Sequence, residues 1–106
     1  MPSVKKLFDE VAEYFIATDE RVQPGKILHS KGLKCGGKFF AFTRREELVV
    51  KLAQERVAQL IAEGTGDPFD AGKGRPMREW VVLHPTDLAS CTGYVAEALA
   101  FMSGTR

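Results

Sequence analysis

Apolar residues recur at helical spacing from the start of the chain. Val4, Leu7, Phe8, Val11, Ala12, Phe15 and Ile16 fall on one stripe, with Lys5, Lys6, Asp9, Glu10 and Glu13 mainly on the opposite face. Ser3 precedes the stripe, and its hydroxyl can accept from an otherwise unpaired amide of the first turn. The spacing therefore predicts an amphipathic helix over residues 3–17. After a polar connector from Thr18 to Gly25 the period changes, and residues 26–35, 38–43 and 47–52 read as three strands of a meander. Gly36-Gly37 can take the positive φ angles of a tight hairpin turn, and the polar Arg44-Arg45-Glu46-Glu47 supplies the next reversal. Alternation in the third strand puts Leu48, Val50 and Leu52 on one face and Val49 and Lys51 on the other. Gly32 interrupts the first strand and marks a bulge or a close backbone approach.

Helical spacing returns through Ala53, Val57, Leu60 and Ile61, which predicts a second helix over 53–63 closed by Gly64 as a left-handed cap. Thr65 to Pro76 carries Gly66, Pro68, Gly72 and Gly74 and reads as an extended loop, pinned to the core by Phe69. Residues 77–84 form a fourth strand with apolar residues on both faces, Trp80 and Val82 on one and Val81 and Leu83 on the other, as in a strand covered on both sides. Pro85-Thr86-Asp87 starts a last helix whose stripe is Leu88, Cys91, Val95, Leu99 and Met102. These elements make an α+β fold: a curved antiparallel sheet of four to five strands packed against helices, one domain over residues 1–106. Phe40, Phe42, Val50 and Trp80 belong to its core. Because the Phe39-Ala41-Thr43 set and the Phe40-Phe42 set both contain apolar residues, one helix layer leaves sheet surface uncovered, and the pattern predicts a homodimer. Coverage by the second helix and the Phe69 loop is the alternative.

Composition narrows the partners rather than the fold. At 106 residues, 44% hydrophobic and 27% charged, the chain fits one soluble globular domain. Fifteen Lys and Arg against fourteen Asp and Glu give a net charge of +1, without the basic excess of a dedicated nucleic-acid binder. No run approaches the roughly 20 apolar residues of a membrane span. Met1-Pro2-Ser3-Val4-Lys5-Lys6 lacks an apolar signal region, and Cys35 and Cys91 lack CxxC spacing, so the cytoplasm is the expected compartment.

Cys35, Cys91, His29 and His84 could number a zinc site, but they lack the close ligand pairs that mark one, and Cys91 falls on the core stripe of the last helix. No metal or cofactor is expected. A nucleophilic pair of Cys35 with His29 or His84 has no orienting acid to recommend it, so no catalytic residue is assigned and the chain is read as a non-enzyme. The loop Gly66 to Gly74 contains Gly-Lys but has five residues between Gly66 and Gly72, and Gly74 follows Lys73, so it fails the phosphate-loop spacing. Local charge is more informative. Between residues 26 and 51, seven cations face Glu46 and Glu47, an excess of five interleaved with Phe39, Phe40 and Phe42. Lys34, Lys38, Arg44 and Arg45 are the candidate contact patch. A protein partner is favoured, nucleic acid is the second reading, and a small enzyme using Cys35 or a histidine is the third.

The segment Gly32-Leu33-Lys34-Cys35-Gly36-Gly37-Lys38 with Phe40-Ala41, the strand Leu48-Val49-Val50-Lys51-Leu52, the Gly64 to Phe69 loop and Met77-Arg78-Glu79-Trp80-Val81 occur in an order that resembles the TfoX amino-terminal domain family, related to the TfoX/Sxy regulators of bacterial competence. The resemblance covers about residues 20–101. It implies a curved antiparallel sheet packed against helices, of the YgaC-like and secretion-chaperone-like group, and a role in transcription regulation through protein contacts. It brings no catalytic residues. In the full-length regulators a second, helical domain follows this one, so the resemblance concerns the module rather than the whole regulator.

Overall fold

The amino-terminal stripe folds as its spacing predicts. The computed structural model describes residues 3–27, 30–70 and 77–104, and its first helix, α1, spans Val4–Thr18. Ser3 caps it, the hydroxyl accepting from the Lys6 amide at 3.1 Å. A second cap comes from far along the chain: the Val4 amide donates to Glu46 Oε1 at 3.0 Å. That carboxylate sits at the positive end of the helix dipole.

Six strands follow in one open antiparallel sheet of order β1-β2-β3-β4-β6-β5. They are β1 (Val22–Ile27), β2 (Ser30–Cys35), β3 (Lys38–Arg44), β4 (Glu47–Lys51), β5 (Gly66–Pro68) and β6 (Trp80–Leu83), with α2 (Gln54–Ala62) between β4 and β5 and α3 (Leu88–Met102) last. The α+β class and the meander are therefore as expected, but two strands escaped the pattern. Residues 22–25, read as connector, pair with β2, so the proposed strand over 26–35 is really the end of one strand and the whole of another. Pro24 and Gly25 conceal β1, yet proline is tolerated on an edge strand, where the outer amides need no partner. The Gly66 loop likewise holds the three-residue β5 on the other edge. The last strand begins at Trp80 rather than Met77, because Met77 to Glu79 turn: the Met77 amide donates to the Phe69 carbonyl and the Trp80 amide to the Met77 carbonyl. His29 and the Gly72-Lys73-Gly74 segment lie outside the described residues.

All three helices feed one core. Leu7, Phe8 and Val11 of α1, Val57 and Leu60 of α2, and Cys91, Val95 and Leu99 of α3 meet Leu33, Ala41, Leu48, Val50, Val81 and Leu83 of the sheet. Each large side chain withdrawn from water here contributes about 1.5–3 kcal/mol. The opposite face carries a smaller apolar group, Phe42, Val49 and Val82, covered by Phe69 and by half-buried Trp80. Of the assigned core residues, Phe40 and Val50 thus serve the helix side and Phe42 and Trp80 the other. Phe69 does pin its segment, and it covers within one chain much of the apolar surface from which the pattern predicted a second copy.

Gly36 and Gly37, at φ 62° and 81°, make the β2–β3 reversal closed by Cys35 opposite Lys38. One step along, pairing slips. Leu33 faces Ala41 and Lys34 faces Phe39, leaving Phe40 as an extra residue in β3.

The two-sided packing predicts that Phe69→Ala lowers unfolding free energy by about 3–5 kcal/mol in urea titration. It should also shift the emission of Trp80, the single tryptophan, to longer wavelength. Unchanged emission would show that Phe69 does not cover this face.

Candidate contact surface

On the face of the sheet away from the helices, the extra residue in β3 decides what is displayed. Strict alternation would place Phe39 with Ala41 under the helices; the bulge turns it to the other side. There it meets two glycines. Gly25 and Gly32 oppose each other on β1 and β2, and a Cβ on Gly32 would lie 2.9 Å from the Phe39 ring, one on Gly25 3.0 Å from it. The close approach foreseen at Gly32 is this aromatic contact. Lys34 Nζ stands 5.3 Å from the centre of the same ring.

The other half of the face is a three-ring cluster. Phe42 lies 5.8 Å from Phe69 and 5.6 Å from Trp80 between ring centres, and Phe69 and Trp80 are 6.3 Å apart. Cations lie over its rim: the Arg44 guanidinium is 5.0 Å from the Phe69 ring centre and Lys51 Nζ 6.0 Å from that of Trp80. Arg44 also pairs with Glu47 at 3.2 Å, and Lys51 approaches Glu79 at 3.9 Å. Such cation–aromatic contacts contribute about 0.5–1 kcal/mol each when exposed, so they trim the surface while ring burial holds it. Phe42 and Phe69 are 1% and 4% exposed and offer no free ring.

The four sequence-proposed cations do not form one patch. Lys34 and Arg44 lie on this face, Lys38 opposes Cys35 beside the glycine turn, and Arg45 occupies the β3–β4 turn. Lys38 and Arg44 terminate the same seven-residue strand. At about 3.3 Å per residue that separates Lys34 and Lys38 from Arg44 and Arg45 by roughly 20 Å. Lys51 and Phe39, counted in the basic and aromatic segment but left out of the four-residue patch, belong to the surface. Period-two alternation misplaces Phe39, and only the bulge would have corrected it.

The thiols and imidazole lie apart as well. Cys91 is fully buried, and burial pushes its thiol up to about 11. Cys35 is half-buried at the end of β2, whereas His84 follows β6 and its Nε2 lies 3.0 Å from Asp67 Oδ2. Those strands are three places apart in the sheet, on the order of 14 Å at the usual ~4.8 Å spacing. Among the described residues no group of three His, Cys, Asp or Glu side chains is placed to hold a metal ion. A cleft of about 460 Å³ where α2 begins and α3 ends is lined by Arg56 and Glu97, which already pair at 2.8 Å. No helix among the described residues is long and apolar enough to cross a membrane. Comparison with protein-family models, with curated proteins and with solved structures gave no match.

In native protein a thiol reagent should label Cys35 alone, with Cys91 reacting only on unfolding; labelling of both in the folded state would contradict the packing of α3. The shift of Cys91 also has a sign. Its thiol ionises near 9 when unfolded and near 11 when folded, so its linked stability is complete below pH 9 and declines as pH rises from 9 towards 11.

Proposed function

We propose that this domain is a non-catalytic protein-interaction module that docks a partner on the sheet face away from the helices. The observation that carries this reading is the makeup of that face. Half-buried Trp80 and Phe39 stand beside a closed aromatic cluster, with Lys34, Arg44 and Lys51 laid over the rings. Aromatic side chains and arginine are enriched in protein interfaces, and the long cationic stems can swing to the rim to meet acidic groups of a partner. The resemblance to the TfoX amino-terminal domain supports a place in transcription regulation for the same module, with the partner a protein of that machinery.

Nucleic acid is less well served by this surface. Base stacking needs open ring faces, whereas Phe42 and Phe69 are buried and the two remaining rings each carry a lysine. The separation of Cys35 from His84 gives the enzyme reading little support.

The test is affinity capture from host extract with and without nuclease, comparing wild type with a Lys34→Glu/Lys51→Gln variant whose melting curve stays cooperative. Nuclease-resistant partners should fall about tenfold in the variant. Equal recovery would overturn this docking face, and recovery lost on nuclease treatment would favour nucleic acid. Sedimentation of the purified domain separates a foreign partner from a second copy.

A further inference from the structure

A second surface lies on the helix side of the sheet, near the start of α1, and owes nothing to the docking face. A cleft of about 320 Å³ is lined by Lys5 of α1, Lys26 of β1, Ser30 and Lys31 of β2, Thr43 of β3 and Arg45 of the β3–β4 turn. Four cationic side chains from four parts of the chain thus surround two hydroxyls. Two features of this cleft are unfavourable for the fold alone.

Lys26 and Lys31 are directly opposed on neighbouring strands, and like charges in that relation repel. Asp9 relieves this only in part, its Oδ1 lying 3.7 Å from Lys31 Nζ. The other acid nearby, Glu46, is engaged by the Val4 amide. Thr43, 4% exposed, lines the same cleft and offers it a hydroxyl donor. Finally, Arg45 has φ 58°, the one non-glycine residue with positive φ among those described. The turn needs a left-handed backbone, but glycine or asparagine would supply it with less strain, so the turn does not account for an arginine.

One ligand would answer both. An anion between the opposed lysines removes their repulsion, accepts from the Thr43 hydroxyl, and gives the Arg45 guanidinium a partner for its forked donors. We propose that this cleft binds a phosphate monoester of a small molecule. Two negative charges and several acceptor oxygens match the cations and hydroxyls, and the volume falls at the small end of ligand cavities, with room for little beyond the phosphoryl group and a short carbon skeleton. Local features that oppose folding yet converge on one concavity are the pattern expected of a binding site.

The proposal predicts an unusual pair of variants. Arg45→Gly should melt at or above the wild-type temperature while losing affinity about tenfold, and Thr43→Val should lose affinity by a similar factor. Lys26→Gln, which removes the opposed pair without touching the core, should weaken binding similarly. Isotope-labelled protein would be titrated with inorganic phosphate and with glycerol phosphate over a fixed chloride background, following the amides of Lys31, Thr43 and Arg45. Saturable shifts confined to the cleft, lost in the variants and at least as tight for the ester, support the site. Tighter binding of inorganic phosphate than of the ester would overturn the monoester assignment. Shifts that merely track ionic strength, or binding undiminished in all three variants, would overturn the site itself. So would an oligonucleotide that binds there and is not displaced by inorganic phosphate.

Discussion

The single extra residue in β3 is the constraint on which both surfaces of the sheet depend. A regular strand from Lys38 to Arg44 would send Phe40 and Phe42 to one face and Phe39 and Ala41 to the other. With Phe40 accommodated as a bulge, Phe40 and Ala41 both enter the helix-side core while Phe39 and Phe42 both reach the opposite face. The main core gains a fully buried phenylalanine, and the far face gains a ring that lies over Gly25 and Gly32. Side chains larger than hydrogen at those two positions would collide with that ring. The glycines that make β1 and the start of β2 look broken are therefore the sheet's accommodation of the displaced aromatic.

A second dependency runs through the β3–β4 turn. Arg44 opposite Glu47 closes it, Arg45 supplies its left-handed backbone, and Glu46 reaches the first amide of α1. One short turn thus positions the amino-terminal helix on the sheet and also presents Arg45 to the cleft beside Lys5. Packing of α1 onto the sheet, through Leu7, Phe8 and Val11, is what brings Lys5 near Lys26 and Lys31. The charged groups of the cleft are consequences of that docking rather than of any motif along the chain.

The two surfaces differ in how their polar groups are satisfied. Away from the helices, Arg44 and Lys51 have carboxylates beside them and rings beneath, so the face is suited to a broad contact. In the cleft, Lys5, Lys26 and Arg45 have no ion-pair partner among the described residues. A concave site with uncompensated charge suits a small anion better than a flat protein surface does. A phosphate-bearing ligand at the α1 end would leave the opposite face free for a protein partner.

Much of the architecture was legible in the chain because it rests on local periodicity. The α1 stripe behind Ser3, the Gly36-Gly37 turn, the alternation of Leu48, Val49 and Val50, and the helix beginning after Asp87 are each encoded within a few residues of one another. The α+β class and the two-faced Trp80 strand followed from the same signals. The edge strands did not, because Pro24, Gly25, Gly66 and Pro68 are poor strand formers locally and are tolerated only where a neighbouring strand pairs one side and solvent the other. The contact residues were less legible still. Lys34, Lys38, Arg44 and Arg45 are close in sequence, but a strand's length parts them. Lys5, Lys26, Lys31 and Arg45 are scattered in sequence, and strand pairing with helix docking brings them together. Local order is set by propensities that act over a few residues, whereas a surface is assembled by long-range pairing, and one bulge is enough to reverse which face a side chain joins.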